Sequence, residues 1–374
     1  MTTSNASSTP VSQVYTWEPS NQWIAERYGL RPQDVIRFDL NTSPSAPEFL
    51  AQALAGPFDP PLNEYPDSLY GDLAQAAADY VGADRYEILV GAGADEVLDI
   101  IAKTFIPAGG RAIVPIPTYS MYGVLTTQRA GTIDAIPRCA PADGFGADID
   151  TIIAKLPGAD VVWMCAPNNP TGVPEPLEGL MRILDAAAAQ GTRAPIVVVD
   201  EAYFEFTRQT TVPLREQYPH LVTVRTLSKA FALAGMRVGY AVASRPTIEK
   251  LERNRPPGSI STVSAAVATW ALRRPELAAE MVERVAPERA WLRAQLDEAG
   301  WITYPSVTNF VLARIGTPEE VEDATDWLLR HGIVSRTFGP ANPLRGHLRF
   351  TVRTRDDDEK LVEAAVAWQA RRTA

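Results

Sequence analysis

The stretch Thr226 to Tyr240, TLSKAFALAGMRVGY, places Lys229 beside hydroxyl residues and eight positions before an arginine. An isolated lysine at the start of a helix is usually a surface residue whose aliphatic stem lies along the protein. In a desolvated pocket the pKa of a lysine falls instead, and its neutral amine becomes a nucleophile that forms Schiff bases. Thr226, Ser228 and Arg237 would then offer two hydroxyls and a forked cation to a phosphate ester.

A carboxylate that needs a partner ends another apolar run. Asp200 follows PIVVV and begins DEAYFEF, so the run indicates a strand in the centre of a sheet. A carboxylate buried there is costly unless a positive group meets it. The sequence offers no adjacent cation, and a protonated heterocyclic nitrogen would serve.

Three further polar segments each follow an apolar run, and each has an ordinary structural interpretation as well. GAGADE, residues 91–96, is either a structural turn or a turn whose helix N-terminus holds an anion. Glu96 occupies the sixth position of that motif, which argues against the G-x-G-x-x-G pattern of dinucleotide sites. Tyr119 of PTYSMY either packs in the core or lies against a planar ligand. Asn168 and Asn169 of APNNPTG either form an Asx-type turn or bond a ligand oxygen.

The elements that must position these residues alternate between strands and helices. From about Leu50 to Ala243, short β-branched runs such as EILV, RAIVP, VVWMC and PIVVVD alternate with longer amphipathic segments. Strands so continuously apolar are buried on both faces, which predicts an α/β fold with a mostly parallel sheet between helices. Ligands of such sheets gather at the carboxyl ends of the strands, where all the segments above lie.

The pattern changes after Val242. Prolines interrupt RPTIEKLERNRPP, then helical segments precede the short strands TNFVLARI, GIVSRTF and HLRFTV. This order predicts a smaller α+β domain. We therefore divide the chain into an N-terminal arm that also completes the small domain (1–45), a large domain (46–250) and a small C-terminal domain (251–374).

Composition excludes several classes of function. The 374 residues carry a net charge of −10, so we expect no broad basic face for nucleic acid. Two cysteines and three scattered histidines predict neither a disulfide framework nor a metal site. The sequence shows neither a signal peptide nor a membrane-spanning run, so we expect a cytoplasmic protein.

Together the motifs resemble the fold-type I aminotransferases, which use pyridoxal 5′-phosphate (PLP), and within them the histidinol-phosphate aminotransferase family. The resemblance extends over nearly the whole chain through LNEYPD, GAGADE, PTYSMY, APNNPTG, DEAYFEF, RTLSKAFALAGMRVGY, TNFVLAR and LRFTV, in the family's order. It implies a large PLP-binding domain with an aspartate-aminotransferase-like fold. The lysine block is the most specific of these motifs.

The resemblance also implies roles for individual residues. Lys229 would form the Schiff base with PLP and move the proton between substrate Cα and cofactor C4′. Asp200 would keep the pyridine nitrogen protonated, Asn169 and Tyr203 would bond the 3′-oxygen, and Tyr119 would stack on the ring. The residues assigned to the cofactor phosphate are Gly93, Ala94, Asp95, Thr226 or Ser228, and Arg237.

Further residues would bind the substrate or the second subunit. Tyr65 of NEYPD would reach the phosphate of the neighbouring subunit, which makes a homodimer the functional unit. Arg336 and Arg349 either form surface pairs or, as the resemblance implies, grip the substrate's carboxylate in one half-reaction and its phosphate in the other. Tyr15 resembles an N-terminal tyrosine that helps hold that phosphate.

The implied reaction converts L-histidinol phosphate and 2-oxoglutarate into imidazole acetol phosphate and L-glutamate. Alternatives within the fold are an aromatic or other amino-acid aminotransferase and a decarboxylase of the phosphothreonine type. The family often has NENP and PYPLST where this chain has NTSP (Asn41 to Pro44) and RPPGSIST (Arg255 to Thr262), and a glycine at Arg353. The first two departures are expected to line the substrate pocket. They keep the alternatives open.

Two hypotheses from other classes explain less of the sequence. A PLP-sensing transcription regulator would need a DNA-binding domain, and residues 1–45 are too short and hold no basic cluster. A nucleotide-binding protein without enzymatic activity would explain GAGADE. It would not explain Asp200 and Lys229 together.

Overall fold

The structure, a computed structural model, describes residues 18–373, and Tyr15 lies outside them. The strands of the described part are β1 Ile36–Arg37, β2 Ile88–Gly91, β3 Arg111–Ile116, β4 Thr132–Pro137, β5 Val161–Cys165, β6 Ile196–Asp200, β7 Leu221–Thr226, β8 Gly239–Ala243, β9 Ile302–Thr303, β10 Phe310–Arg314, β11 Ile333–Val334 and β12 His347–Thr351. The α-helices are α1 Asn21–Tyr28, α2 Leu50–Leu54, α3 Gly71–Val81, α4 Gly93–Phe105, α5 Met121–Gln128, α6 Ile149–Lys155, α7 Leu177–Ala188, α8 Phe204–Thr207, α9 Arg245–Glu252, α10 Thr262–Leu272, α11 Glu276–Glu298, α12 Pro318–Arg330 and α13 Arg355–Thr373.

A seven-stranded sheet with the order β2-β8-β7-β6-β5-β3-β4 forms the centre of the fold. Only β8 runs antiparallel to its neighbours in this sheet, β2 and β7. Alternate residues of β5 enter different cores, since Trp163 packs with α4 and α5 while Met164 packs with α6 and α7. The sheet is therefore covered on both faces, and the predicted mostly parallel α/β fold is confirmed.

The C-terminal third forms a second core around the antiparallel sheet β12-β10-β9. Trp301 stacks on Phe350 with ring centroids 5.6 Å apart, and Trp368 meets the same indole edge-on. The N-terminal strand β1 pairs in parallel with β11, so the chain returns to this region from its other end. The domain boundaries given above stay a prediction.

Strand direction brings the candidate residues to one edge of the large sheet. Because β2 and β7 are both antiparallel to β8, they run parallel to each other, and their carboxyl ends share an edge with those of β3, β5 and β6. Strand β8 starts at that edge with Gly239. A Cβ on Gly239 would lie 2.5 Å from the backbone nitrogen of Ala94, so only glycine lets β8 pass this close to the start of α4.

Among the helices of residues 18–373, none has the length and apolar character needed to cross a membrane.

Candidate active site

Lys229 lies three residues beyond the carboxyl end of β7. Its Nζ is 3.4 Å from the carbonyl oxygen of Leu40 and 5.8 Å from the ring centroid of Tyr203. Burial, followed by the positive charge of Arg349, lowers the pKa of the Lys229 ammonium to about 8. A substantial fraction of this amine is therefore neutral near physiological pH, as a nucleophilic or basic lysine requires.

Asp200 ends β6 and is only 3% exposed. Its carboxylate accepts hydrogen bonds from the Tyr122 hydroxyl at 2.7 Å and from the backbone N–H of Ala202 at 3.0 Å. Burial raises the pKa of Asp200 to about 6, against the effect of these two donors. Within the described residues it forms no ion pair, so this buried carboxylate fits a cationic ligand atom.

Tyr122 was not identified from the sequence. It lies in the first turn of α5, where its ring stacks on Trp163 with centroids 5.4 Å apart and planes 5° apart. This stacking and complete burial aim its hydroxyl at Asp200. The available signal was its place in PTYSMY, the segment that follows β3, where its ring meets that of Tyr119 edge-on.

The first turn of α4 and the loop after β7 form the predicted anion site. Helix α4 begins at Gly93, whose φ is +84°, and a Cβ there would lie 2.6 Å from Nη2 of Arg237. The positive φ favours glycine here, and the absence of a side chain lets the end of Arg237 lie against this turn. The same Nη2 is 3.4 Å from Oδ2 of Asp95, and the hydroxyls of Thr226 and Ser228 are 3.0 Å apart. The unpaired N–H groups that begin a helix complete a set of donors suited to a phosphate.

Glu96 closes the turn that precedes this helix. Its carboxylate accepts hydrogen bonds from the backbone N–H of Ala92 at 2.6 Å and from the Ser259 hydroxyl at 2.7 Å. A glutamate therefore stands in the sixth position of GAGADE because it fastens the turn to the segment 255–262. That segment also holds Tyr70 through both backbone groups of Ile260.

Three more predicted residues border the same space. Tyr119 donates its hydroxyl to Oδ1 of Asp95 at 2.8 Å. The Tyr203 hydroxyl accepts a hydrogen bond from Nδ2 of Asn41 at 2.9 Å, a contact across 162 positions that the sequence did not indicate. Asn169 accepts from Nη1 of Arg349 at 2.6 Å.

Arg336 and Arg349 face each other across two antiparallel segments. Each backbone N–H donates to the other's carbonyl oxygen at 3.0 Å, so both side chains project from one face. Arg349 is buried, and Nη2 also donates to the carbonyl oxygen of Asp39. Its Nε is buried without a hydrogen-bond partner among the described residues, and burial lowers the pKa of its guanidinium to about 10. A bound anion would accept a hydrogen bond from this Nε and balance the positive charge of the Arg349 guanidinium.

Other sequence departures and predictions lie away from this group. Tyr65 is 93% exposed, outside the cluster around Lys229. Arg353 bonds Asp357 and the carbonyl oxygen of Arg37, so it has a structural role in the small core. No group of three or more metal-ligating side chains occurs in the described part of the chain.

The structure thus brings together a lysine with a lowered pKa, an uncompensated buried carboxylate, a phosphate-type donor set and two arginines. A family model described as "Aminotransferase class I and II" matches residues 35–365, and the chain belongs to that family. The family resemblance and the aminotransferase activity predicted from the sequence are confirmed by this match.

More specific similarities lie within this class. A histidinol-phosphate aminotransferase of Thermococcus kodakarensis is 35% identical over 309 residues, which cover 83% of this chain and 84% of that protein. A second, from Ruminiclostridium cellulolyticum, is 34% identical over 341 residues, covering 89% and 92%. The crystal structure of histidinol-phosphate aminotransferase from Sinorhizobium meliloti in complex with pyridoxal-5′-phosphate matches with a TM-score of 0.85 and 25% identity, over 96% of each chain.

Proposed function

We propose that the chain is a PLP-dependent aminotransferase that transfers the amino group of L-histidinol phosphate to 2-oxoglutarate. The observation that carries the cofactor assignment is that one site contains both Asp200, which is buried and forms no ion pair among the described residues, and Lys229, whose pKa is lowered to about 8. These groups have the chemistry to meet a protonated ring nitrogen and an aldehyde. PLP, when bound, supplies an electron-accepting ring that stabilises negative charge at the substrate Cα.

The proposed cofactor contacts divide among the elements described above. The start of α4 (Gly93, Ala94 and Asp95), Thr226, Ser228 and Arg237 hold the phosphate, since they present hydroxyls, amides and a guanidinium together. Tyr119 borders the ring, while Asn169 and Tyr203 bond its 3′-oxygen. Asp200 accepts the hydrogen bond of the ring nitrogen.

Lys229 has the proton-transfer role in this proposal. With the cofactor bound, its neutral amine would take the proton from the substrate Cα and deliver it to cofactor C4′, the carbon on the other side of the transferred nitrogen. Asp200 stays ionised throughout because its new partner is a cation, which favours the carboxylate. Tyr122 supports that charge with its hydrogen bond.

The substrate assignment rests on the arginine pair and on the relatives. Histidinol phosphate and 2-oxoglutarate both carry an anionic end, and Arg336 and Arg349 provide two adjacent guanidiniums with an unused donor on Arg349. The two curated relatives described above are histidinol-phosphate aminotransferases, and each covers more than four fifths of this chain.

A first experiment tests the cofactor. Purified protein incubated with PLP should gain a yellow absorbance that borohydride bleaches, and Lys229→Ala should abolish it. Lys103→Ala is the matched control, because Lys103 pairs on the surface with Asp99. A protein that stays colourless with added PLP would reject the cofactor proposal.

A second experiment tests the donor. Histidinol phosphate, histidine, phenylalanine, tyrosine and phosphothreonine are mixed singly with the PLP-loaded protein, and the loss of the yellow absorbance is followed. Histidinol phosphate should react with the highest kcat/KM. A faster reaction with phenylalanine or tyrosine would overturn the substrate while keeping the transaminase, and release of CO2 from phosphothreonine would indicate a decarboxylase.

We further propose a homodimer in which Tyr65 reaches the phosphate site of the second subunit. Tyr65, Leu62 and Leu69 leave large apolar surfaces exposed on one short segment before α3, and a second copy would cover them. Sedimentation should give twice the chain mass.

The cytoplasmic location stays a prediction.

A further inference from the structure

The positive charges of the two arginines in the proposed substrate site are not neutralised equally by their neighbours. Arg349 and Arg336 are directly opposite each other, and like charges in such pairs repel. Arg349 donates hydrogen bonds to two uncharged oxygens, the side-chain amide oxygen of Asn169 and the backbone carbonyl oxygen of Asp39. Arg336 instead forms an ion pair through Nη1 with a carboxylate of this chain, Oε1 of Glu18. The anion-binding guanidinium nearer to solvent is therefore already engaged by an internal anion.

Hydrogen bonds to the two residues after Glu18 hold it in this position. The next residue, Pro19, accepts a hydrogen bond at 2.8 Å from Nη1 of Arg37, whose Nε is held at 2.8 Å by Asp39. Ser20 then caps α1 by accepting the N–H of Trp23 at 3.1 Å. Because its neighbours are fastened, the Glu18 carboxylate acts at a high effective concentration on Arg336.

The pair is also exposed enough to be exchanged. The side chains of Glu18 and Arg336 retain 22% and 29% of their accessible surface. An ion pair at this degree of exposure is worth little, since water and side-chain entropy offset most of the attraction. A ligand group with several charged oxygens, such as a phosphate, could also reach the unused Nε of Arg349. It would therefore bind more strongly than the single carboxylate of Glu18.

We propose that Glu18 is a built-in competitor for the substrate's anionic group at Arg336, and that it weakens the binding of anions at this site. This inference rests on the proposed function, in which Arg336 and Arg349 receive a phosphate or a carboxylate. An anion binds to Arg336 only by displacing Glu18, and the free energy of that ion pair is subtracted from the binding of phosphate and carboxylate alike. Glu18 also neutralises Arg336 while the site is empty.

Inorganic phosphate is the probe, titrated calorimetrically into protein saturated with PLP so that the cofactor phosphate site is filled. Glu18→Gln keeps the shape and removes the charge, and should bind phosphate about three- to tenfold more tightly than wild type, the value of a partly exposed ion pair. Glu26→Gln, on the solvent side of α1, is the matched control and should leave the affinity unchanged. Arg336→Gln should weaken binding, and the double variant E18Q/R336Q should bind no more tightly than Arg336→Gln alone.

Two results would overturn the inference: an unchanged or weaker affinity in Glu18→Gln, or a gain that persists when Arg336 is also replaced. Failure of the proposed function has separate signs, namely no borohydride-sensitive absorbance or no reaction with histidinol phosphate. Sulfate and acetate titrated in parallel report the selectivity. Because phosphate and acetate displace the same ion pair, Glu18→Gln should tighten the binding of both by a similar factor and leave the preference between them unchanged.

Discussion

At the scale of single residues, Tyr122 favours the ionised form of Asp200 against the larger, opposing effect of burial on its pKa. Its hydroxyl donates to the carboxylate at 2.7 Å, and such a bond favours the ionised form. Tyr122→Phe should therefore raise the pKa of Asp200 above about 6. The carboxylate would then be more protonated at pH 6 to 7, so PLP affinity should fall more at pH 6 than at pH 8, by about 3- to 30-fold at the lower pH.

Fluorescence titration of the apoprotein with PLP across this pH range measures the effect. Tyr218→Phe is the control, because Tyr218 is also a buried tyrosine bonded to an aspartate, Asp185, at 2.6 Å, outside the site. The role of Tyr122 is rejected if its variant and the control show the same pH dependence.

Arg349 has a second effect besides anion binding, because its charge lowers the pKa of Lys229. Arg349→Gln should raise that pKa above about 8, so a smaller fraction of the amine is neutral at pH 7 to 8. The rate of PLP uptake should fall in this window and recover as the pH approaches 10. Stopped-flow absorbance against pH measures it, with Arg355→Gln as a surface control. An unshifted pH profile would contradict the coupling.

Most of the cofactor-site residues predicted from the sequence lie at or just after the carboxyl end of a strand. Asp200 and Lys229 were found in this way, because a strand's carboxyl end has a known place in such a sheet. Asn41 contacts Tyr203 across 162 positions, and Glu18 meets Arg336 across 318. No local pattern marks contacts of this kind, because tertiary packing alone creates them.

At the scale of elements, the start of α13 contains a buried acid. The Asp358 carboxylate accepts the backbone N–H of Arg353 at 3.1 Å. Burial, aided by the negative charges of Glu288 and Asp357, raises the pKa of Asp358 to about 8. In the unfolded chain Asp358 loses its proton near pH 4. The contribution of Asp358 to the free energy of unfolding therefore falls as the pH rises from about 4 to about 8, and it is constant above pH 8.

Asp358→Asn keeps the acceptor and removes the charge. It should raise the free energy of unfolding at pH 9 by more than about 1 kcal/mol, and the gain should shrink toward pH 4. Urea denaturation at pH 5, 7 and 9 measures this. Asp356→Asn, exposed in the same helical turn, is the control. A gain that is equal at pH 5 and pH 9 would contradict the assignment.

Element types were more predictable than their pairing. The apolar runs VVWMC and PIVVVD predicted β5 and β6, since both faces of these strands are buried. The antiparallel direction of β8 and the pairing of β1 with β11 were not predicted. Both features depend on contacts between segments that are far apart in the sequence. In addition, a two-residue strand such as Ile36–Arg37 is too short to show a periodic pattern.

At the scale of the whole molecule, the proposed dimer predicts that one site needs two chains. Mixing Lys229→Ala and Tyr65→Ala subunits, each weakly active alone, creates hybrids with one site that has both native residues. If Tyr65 acts across the interface, activity should recover to about a quarter of wild type, since half the randomly paired dimers are hybrids and each restores one of two sites. If Tyr65 served its own subunit, no hybrid site would be complete. Turnover after co-refolding, compared with a Lys229→Ala and Asp200→Ala mixture that cannot complement, separates the two arrangements.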